Sequence, residues 1–184
     1  MNVPNALTGL RLVGVPVFIA LFLTGHLGAA LGVFIGAMFT DWLDGIAARA
    51  LKQFTRIGAI MDPIADKLMG MAALGLLCWS HHLPAWILYV LLFREACIFS
   101  AIGILTRTGR SYAIRPTRFG KYATFFLATT TIYALWQAAR GAGTTPALMA
   151  LALISAQCIA VSWAQYLAVF IDLMRRPPQP ARTP

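Results

Sequence analysis

"FTDWLDGIAARALKQFTRIGAIMDPIADKLMG", residues Phe39 to Gly70, holds four of the six acidic residues in a chain of 184. Asp41, Asp44, Asp62 and Asp66 fall within 26 positions, leaving only Glu95 and Asp172 elsewhere. On a helix, Asp41 and Asp44 are three apart and Asp62 and Asp66 four apart, so each pair shares a face. Whether the stretch is helical decides the fold, and its flanks supply the answer.

Apolar residues make up 59% of the chain and charged residues 11%, against roughly 45–50% and 25% in soluble domains. Mean hydropathy is +0.73. The bilayer is the expected solvent. The net charge of +9 fits anionic lipid headgroups and a positive-inside bias better than nucleic acid, which is not expected as a partner. No cleavable signal peptide is expected, because Met1 to Arg11 lacks a basic n-region and no small-residue cleavage site follows. Cys78, Cys97 and Cys158 sit in apolar runs without metal-ligand or CxxC spacing and read as packing residues.

Leu12 to Thr40 is a window of 29 residues without Asp, Glu, Lys or Arg. A spanning helix needs ~20 residues, so the window is too long for one span and too short for two. The patch from Thr24 to Gly28 reads as a turn at its middle. Two helices then fit only if the first reaches back to about Leu7 and the second runs forward through Asp41 and Asp44 towards Arg49. The aspartates are therefore expected to be helical. The same arithmetic recurs in the 26 uncharged residues from Leu68 to Phe93, divided at Ser80 to Pro84. A third helix is expected from near Ile60, with Pro63 in its first turn, and a fourth from near Pro84. Tyr122 to Ala139, a turn at Gly141 to Pro146, and Ala147 to Ile171 complete an all-α integral membrane protein with six transmembrane helices. These form one domain over residues 1–174, and the proline-rich tail over 175–184 is expected to be disordered and cytoplasmic.

Six spans put both termini on one side with Arg49, Lys52, Arg56, Arg107, Arg110, Arg115, Arg118 and Lys121. Of 15 basic residues only Arg140 falls clearly opposite. Positive-inside bias makes the basic side cytoplasmic. His26, His81 and His82 then occupy outer turns as ordinary polar residues.

An unpaired carboxylate at membrane depth costs ~2.5–3.5 kcal/mol on insertion scales, and four close together also repel one another. Arg49, Lys67, divalent cations or protons are the candidates to hold them. An all-oxygen carboxylate site suits hard ions such as Mg²⁺ or Mn²⁺, and two pairs suit two ions. Gly45, Ala48, Gly58 and Ala65 are small residues that let helices, or a ligand, approach closely.

The pattern Asp41-x-x-Asp44-Gly45-x-x-Ala48-Arg49, eight residues, then Gly58-x-x-x-Asp62-x-x-x-Asp66 resembles throughout the signature of the CDP-alcohol phosphotransferases. That resemblance implies an integral membrane enzyme, a homodimer, that transfers a substituted phosphoryl group from a CDP-linked donor to an alcohol with release of CMP. Carried over by residue, it makes Asp41, Asp44, Asp62 and Asp66 metal ligands, with Asp66 also the general base. Asp41, Gly45, Ala48 and Arg49 would line the cytidine-diphosphate pocket, and Gly58 would allow the motif helices to close on it. The implied location is the bacterial inner membrane, with the active site facing the cytoplasm.

Pro4-Asn5-Ala6-Leu7-Thr8-Gly9-Leu10-Arg11, Asp62-Pro63-Ile64-Ala65-Asp66-Lys67 and Arg94-Glu95 resemble segments of the family branch that joins CDP-diacylglycerol to glycerol-3-phosphate. Asn5 and Thr8 are candidate substrate-binding residues, or simply caps of the first helix. Adjacent charges deep in a span demand partners or a cavity, which makes Arg94 a candidate too. Arg115, Arg118 and Lys121 border the fifth helix and suit an acceptor phosphate. Gly120-Lys121-Tyr122-Ala123-Thr124 departs from that branch's GKxKT at Ala123. Relatives that use phosphatidylglycerol as acceptor, of the cardiolipin synthase type, resemble Arg115-Pro116-Thr117 almost as well. A cation transporter is the alternative from another class, and it predicts acids spread along a pore rather than clustered at one end.

Overall fold

A computed structural model of the chain describes residues 3–51, 56–108 and 117–175, with side chains described over 9–41, 65, 67–108 and 117–175. The described residues form six α-helices and no strand: α1 (Val3–Leu23), α2 (Leu27–Leu51), α3 (Arg56–Trp79), α4 (Ala85–Arg107), α5 (Arg118–Ala139) and α6 (Pro146–Arg175). The tail expected to be disordered lies, beyond Arg175, outside the described residues.

Each expected turn is present, and all three end their helices in the same way. After α1, Gly25 takes a φ of 80°, its N–H donates to the Phe22 carbonyl, and the His26 N–H donates to Leu21. This paired closure satisfies carbonyls that a helix end leaves orphaned. Gly141 repeats it after α5 with a φ of 67°, bonding to Ala138 while Ala142 bonds to Gln137. After α3 the left-handed position falls to His81, with a φ of 61°. The other turn histidines are held locally: His26 Nδ1 lies 3.1 Å from Thr24 Oγ1, and His82 Nδ1 lies 2.8 Å from Ser80 Oγ.

Helix starts differ more from expectation than helix ends. α5 begins four residues before Tyr122 because Thr117 caps it, accepting the Gly120 N–H at 3.0 Å. Thr145 likewise accepts the Leu148 N–H and places Pro146 at the first position of α6. Apolarity, the signal used for the boundaries, does not register such polar caps. α1 begins at Val3, so Asn5 and Thr8 lie within the helix and not at its start. α3 begins at Arg56, which carries the helix through Pro63 rather than starting at it.

The described residues divide into two compact units. The first comprises α1, α2 and α3 with the chain from Thr131 to Leu148; the second comprises α4, α5 up to Thr130, and α6 from Met149. In the first unit α1 packs against both α2 and α3, and α2 meets α3. Arg11, Phe18 and Phe22 lie on one face of α1, and Ala30, Phe34 and Ala37 on one face of α2, all buried at the spacing a helix stripe requires. Phe18 stacks obliquely on Phe22 and on Phe34, each with 6.1 Å between ring centroids. α3 contributes Ala65, Met69, Ala73, Leu74 and Leu77. A Cβ on Gly14 would stand 3.5 Å from Met69 Cε, so α1 and α3 come close there.

In the second unit Thr130 Oγ1 lies 2.9 Å from Ser155 Oγ, a buried bond between α5 and α6. Each hydroxyl also lies 2.8 Å from a carbonyl of its own helix, Thr130 from that of Phe126 and Ser155 from that of Leu151, and with one hydrogen apiece only one of the two can donate across while the other donates to its own helix. No cysteine is in a disulfide.

α4 and α6 are long and apolar enough to cross a membrane, each with a mean hydropathy of 1.9 over its best window. α4 carries Tyr89, Phe93 and Phe99 exposed, a surface suited to hydrocarbon. The apolar parts of α1, α2 and α3 that are described, Gly9–Leu23, Leu27–Asp41 and Lys67–Trp79, are shorter. The six expected helices are thus present, while spanning length and apolarity coincide in two of them among the described residues.

Candidate active site

The aspartate motif belongs to α2 and α3, as the length argument requires. Asp41, Asp44, Gly45, Ala48 and Arg49 lie along α2, and Gly58, Asp62 and Asp66 along α3. Asp41 is described in full. Its Oδ1 lies 3.3 Å from Arg11 Nη1, with the Arg11 side chain 1% exposed and that of Asp41 44% exposed. A cation at that depth is held only where a carboxylate or its equivalent meets it. The half-open carboxylate keeps a face towards solvent or ligand. Thr40, one residue earlier, turns its hydroxyl back on the Ala37 carbonyl at 2.8 Å.

The sequence places Arg11 only in a resembling segment and offers Arg49, Lys67, divalent cations or protons to hold the acids. The signal that would have found it is the hairpin itself. Arg11 and Asp41 stand equally far in sequence from His26, at the two ends of the charge-free window, so an antiparallel pair turning at Gly25 and His26 brings them level. Phe18 and Phe34 obey the same rule. Lys67 is exposed.

The side chains of Asp44, Arg49, Asp62 and Asp66, and those of Ala48, Asn5 and Thr8, lie outside the described residues, as does Arg115 altogether. Among the described residues no group of three or more His, Cys, Asp or Glu is placed to hold a metal. Ala65, between the acids of α3, is fully buried.

In the second unit Arg94 is held from three sides. Its Nη1 donates to Glu95 Oε1 at 2.6 Å, and the two side chains are 14% and 13% exposed. Its Nη2 reaches Ser162 Oγ at 3.5 Å, the long limit of a hydrogen bond. The guanidinium lies over the Tyr166 ring, 5.8 Å from its centroid, a cation–π arrangement. Each of the two adjacent charges in this apolar helix thus has at least one partner. Arg118 and Lys121 lie in the first turn of α5, both exposed. Ser162 and Tyr166 were not anticipated, because nothing in a local window of α6 distinguishes them from helix-packing residues.

Comparison with known proteins agrees with the motif. A family model for CDP-alcohol phosphatidyltransferase matches residues 1–173. A Pseudomonas fluorescens protein named CDP-diacylglycerol–glycerol-3-phosphate 3-phosphatidyltransferase is 50% identical over 119 residues, covering 60% of this chain and 60% of that protein. A cardiolipin synthase (CMP-forming) of Streptomyces coelicolor is 40% identical over 134 residues, covering 69% of this chain and 61% of its own. A Yersinia pestis protein with the same name as the Pseudomonas one is 33% identical over 145 residues, covering 74% of this chain and 78% of its own. The match therefore spans about three fifths of the length of the first two relatives. The chain belongs to the CDP-alcohol phosphatidyltransferase family.

Proposed function

We propose that this protein transfers the phosphatidyl group of CDP-diacylglycerol to glycerol-3-phosphate and releases CMP. The observation that carries the reading is the complete aspartate signature on α2 and α3 of a chain matched by the family model over residues 1–173. The acceptor assignment is supported by the names of the Pseudomonas and Yersinia relatives and by the Arg94-Glu95 pair.

In this reading the chain crosses the bacterial inner membrane six times as a homodimer, with the acids and the basic loops at the cytoplasmic face. Asp41, Asp44, Asp62 and Asp66 hold two divalent ions, Mg²⁺ or Mn²⁺. A hard, all-oxygen donor set on two neighbouring helices fits such ions, and the open face of Asp41 leaves one donor accessible. When bound, the ions neutralise charge on the diphosphate and the leaving group. Arg11 fixes the Asp41 carboxylate, while Gly45, Ala48 and Arg49 border the nucleotide and Gly58 leaves room beside it. Asp66 takes the proton of the acceptor hydroxyl as its oxygen attacks the phosphorus bearing diacylglycerol. The bond from that phosphorus to CMP breaks, and CMP leaves with the electron pair. Asn5, Thr8, Arg94, Arg115, Arg118 and Lys121 bind substrate, the cations serving the acceptor phosphate.

A second reading, phosphatidylglycerol as the acceptor, is favoured by the Streptomyces relative's name and by Ala123 in place of the lysine of GKxKT. Labelled CDP-diacylglycerol offered with glycerol-3-phosphate, phosphatidylglycerol, inositol phosphate or serine separates them. Labelled phosphatidylglycerophosphate is expected, and any other product removes the first choice. Metal flux through proteoliposomes without CMP release would instead indicate a transporter.

A further inference from the structure

The second unit contains a polar cluster in otherwise apolar surroundings, built from three helices. Arg94 of α4 donates to Glu95 and reaches Ser162 of α6, and it lies over the ring of Tyr166, one turn further along α6. Its Nε–H is buried and has no hydrogen-bond partner among the described residues. The start of α5 abuts the same α6 residues: a Cβ built on Gly120 would stand 3.4 Å from Ser162 Oγ and 3.6 Å from the Tyr166 hydroxyl. It would also stand 3.1 Å from Thr117 Oγ1, which caps α5. The start of the helix bearing Arg118 and Lys121 thus lies within contact reach of Ser162 and Tyr166.

An unsatisfied buried N–H on a cation is unfavourable unless an acceptor arrives. Arginine presents its donors in a rigid fork, so fixing two of its edges fixes the direction of the third. Here Glu95 and Ser162 take the two terminal nitrogens, and the Tyr166 ring sets the plane. What remains is the Nε–H and one further hydrogen on each terminal nitrogen, beside a helix start that carries two further cations, a combination that fits a phosphate group.

We infer that Ser162 and Tyr166 are positioning residues that orient the Arg94 guanidinium, and the start of α5 with it, towards the phosphate of the acceptor alcohol. The inference rests on the proposed reading that the acceptor carries a phosphate, which holds for both glycerol-3-phosphate and phosphatidylglycerol.

The test is steady-state kinetics of the purified full chain in lipid nanodiscs, varying CDP-diacylglycerol and the acceptor separately. Ser162→Ala and Tyr166→Leu are expected to raise KM for the acceptor about tenfold, with kcat and KM for CDP-diacylglycerol within about twofold of the parent. Tyr166→Phe, which keeps the ring under the guanidinium, is expected to recover most of the apparent affinity lost in Tyr166→Leu. Ser155→Ala serves as the packing control, since it breaks the buried bond to Thr130 on the same two helices; it is expected to lower the melting temperature without a selective rise in acceptor KM. An acceptor KM within twofold of the parent in Ser162→Ala, or a rise no larger than in Ser155→Ala, overturns the inference even where Tyr166→Leu does not fold. If the parent uses phosphatidylglycerol and not glycerol-3-phosphate, the first-choice acceptor falls and the same criteria apply with phosphatidylglycerol. If it uses neither, both the reading and the inference fall.

Discussion

Arg11 of α1 and Asp41 of α2 meet at 3.3 Å across the first hairpin, the arginine almost wholly enclosed and the aspartate nearly half open. This asymmetry separates stability from activity at the two positions. Arg11→Met keeps much of the buried volume, and exchanging a buried ion-pair member for an apolar side chain of similar size is often nearly neutral once its partner can reach water. Melting of the purified variant is therefore expected to shift by no more than about 2 kcal/mol of stability. CMP release is expected to fall at least tenfold, because the Asp41 carboxylate loses its anchor. A variant with parental turnover would show that Arg11 serves packing alone.

Asp66→Asn removes the proposed base while keeping the shape of the side chain. Transfer is expected to drop by roughly 10²–10⁴-fold, the range spanned by general-base contributions. Binding of CDP-diacylglycerol at saturating Mg²⁺, read by calorimetry on the same preparation, should stay within a few-fold. Equal turnover in metal-replete enzyme would reassign the base.

Chelation offers a third check. Treatment with a divalent chelator is expected to abolish CMP release, and readdition of Mg²⁺ or Mn²⁺ to restore it. Asp44→Asn should shift the metal concentration for half-activity upward, because one donor loses its charge. Activity indifferent to chelator would contradict an ion-dependent site.

The three turns that end α1, α3 and α5 make a prediction about stability alone. Gly25→Ala and Gly141→Ala place a Cβ on left-handed backbone and should each cost about 1–2 kcal/mol. His81→Gly relieves the same conformation at the remaining turn and should stabilise by up to about 1 kcal/mol. Melting temperatures of the three variants in one detergent measure both signs.

Much of the architecture was legible in local sequence. The length of the charge-free window, set against the reach of a spanning helix, requires Asp41 and Asp44 to be helical, and α2 runs through both. The turns at Gly25 and Gly141 were marked by polar, glycine-bearing patches, because few residues accept left-handed backbone, and the turn at His81 by the polar, proline-ended run Ser80 to Pro84, which holds no glycine. The signature of the acids was readable because its chemistry is carried by residue type and fixed spacing. Caps were less visible, since a single threonine such as Thr117 differs from its neighbours only through the bond it makes.

What sequence alone determined, then, is which helices form and which of them carry the acids, since both follow from interactions within a few turns of one chain segment. Tertiary structure decided the partners: Arg11 for Asp41, and Ser162 and Tyr166 for Arg94. These pairs are 30 to 72 positions apart, and whether two such side chains meet depends on how separate helices turn and pack against each other, which no local window encodes.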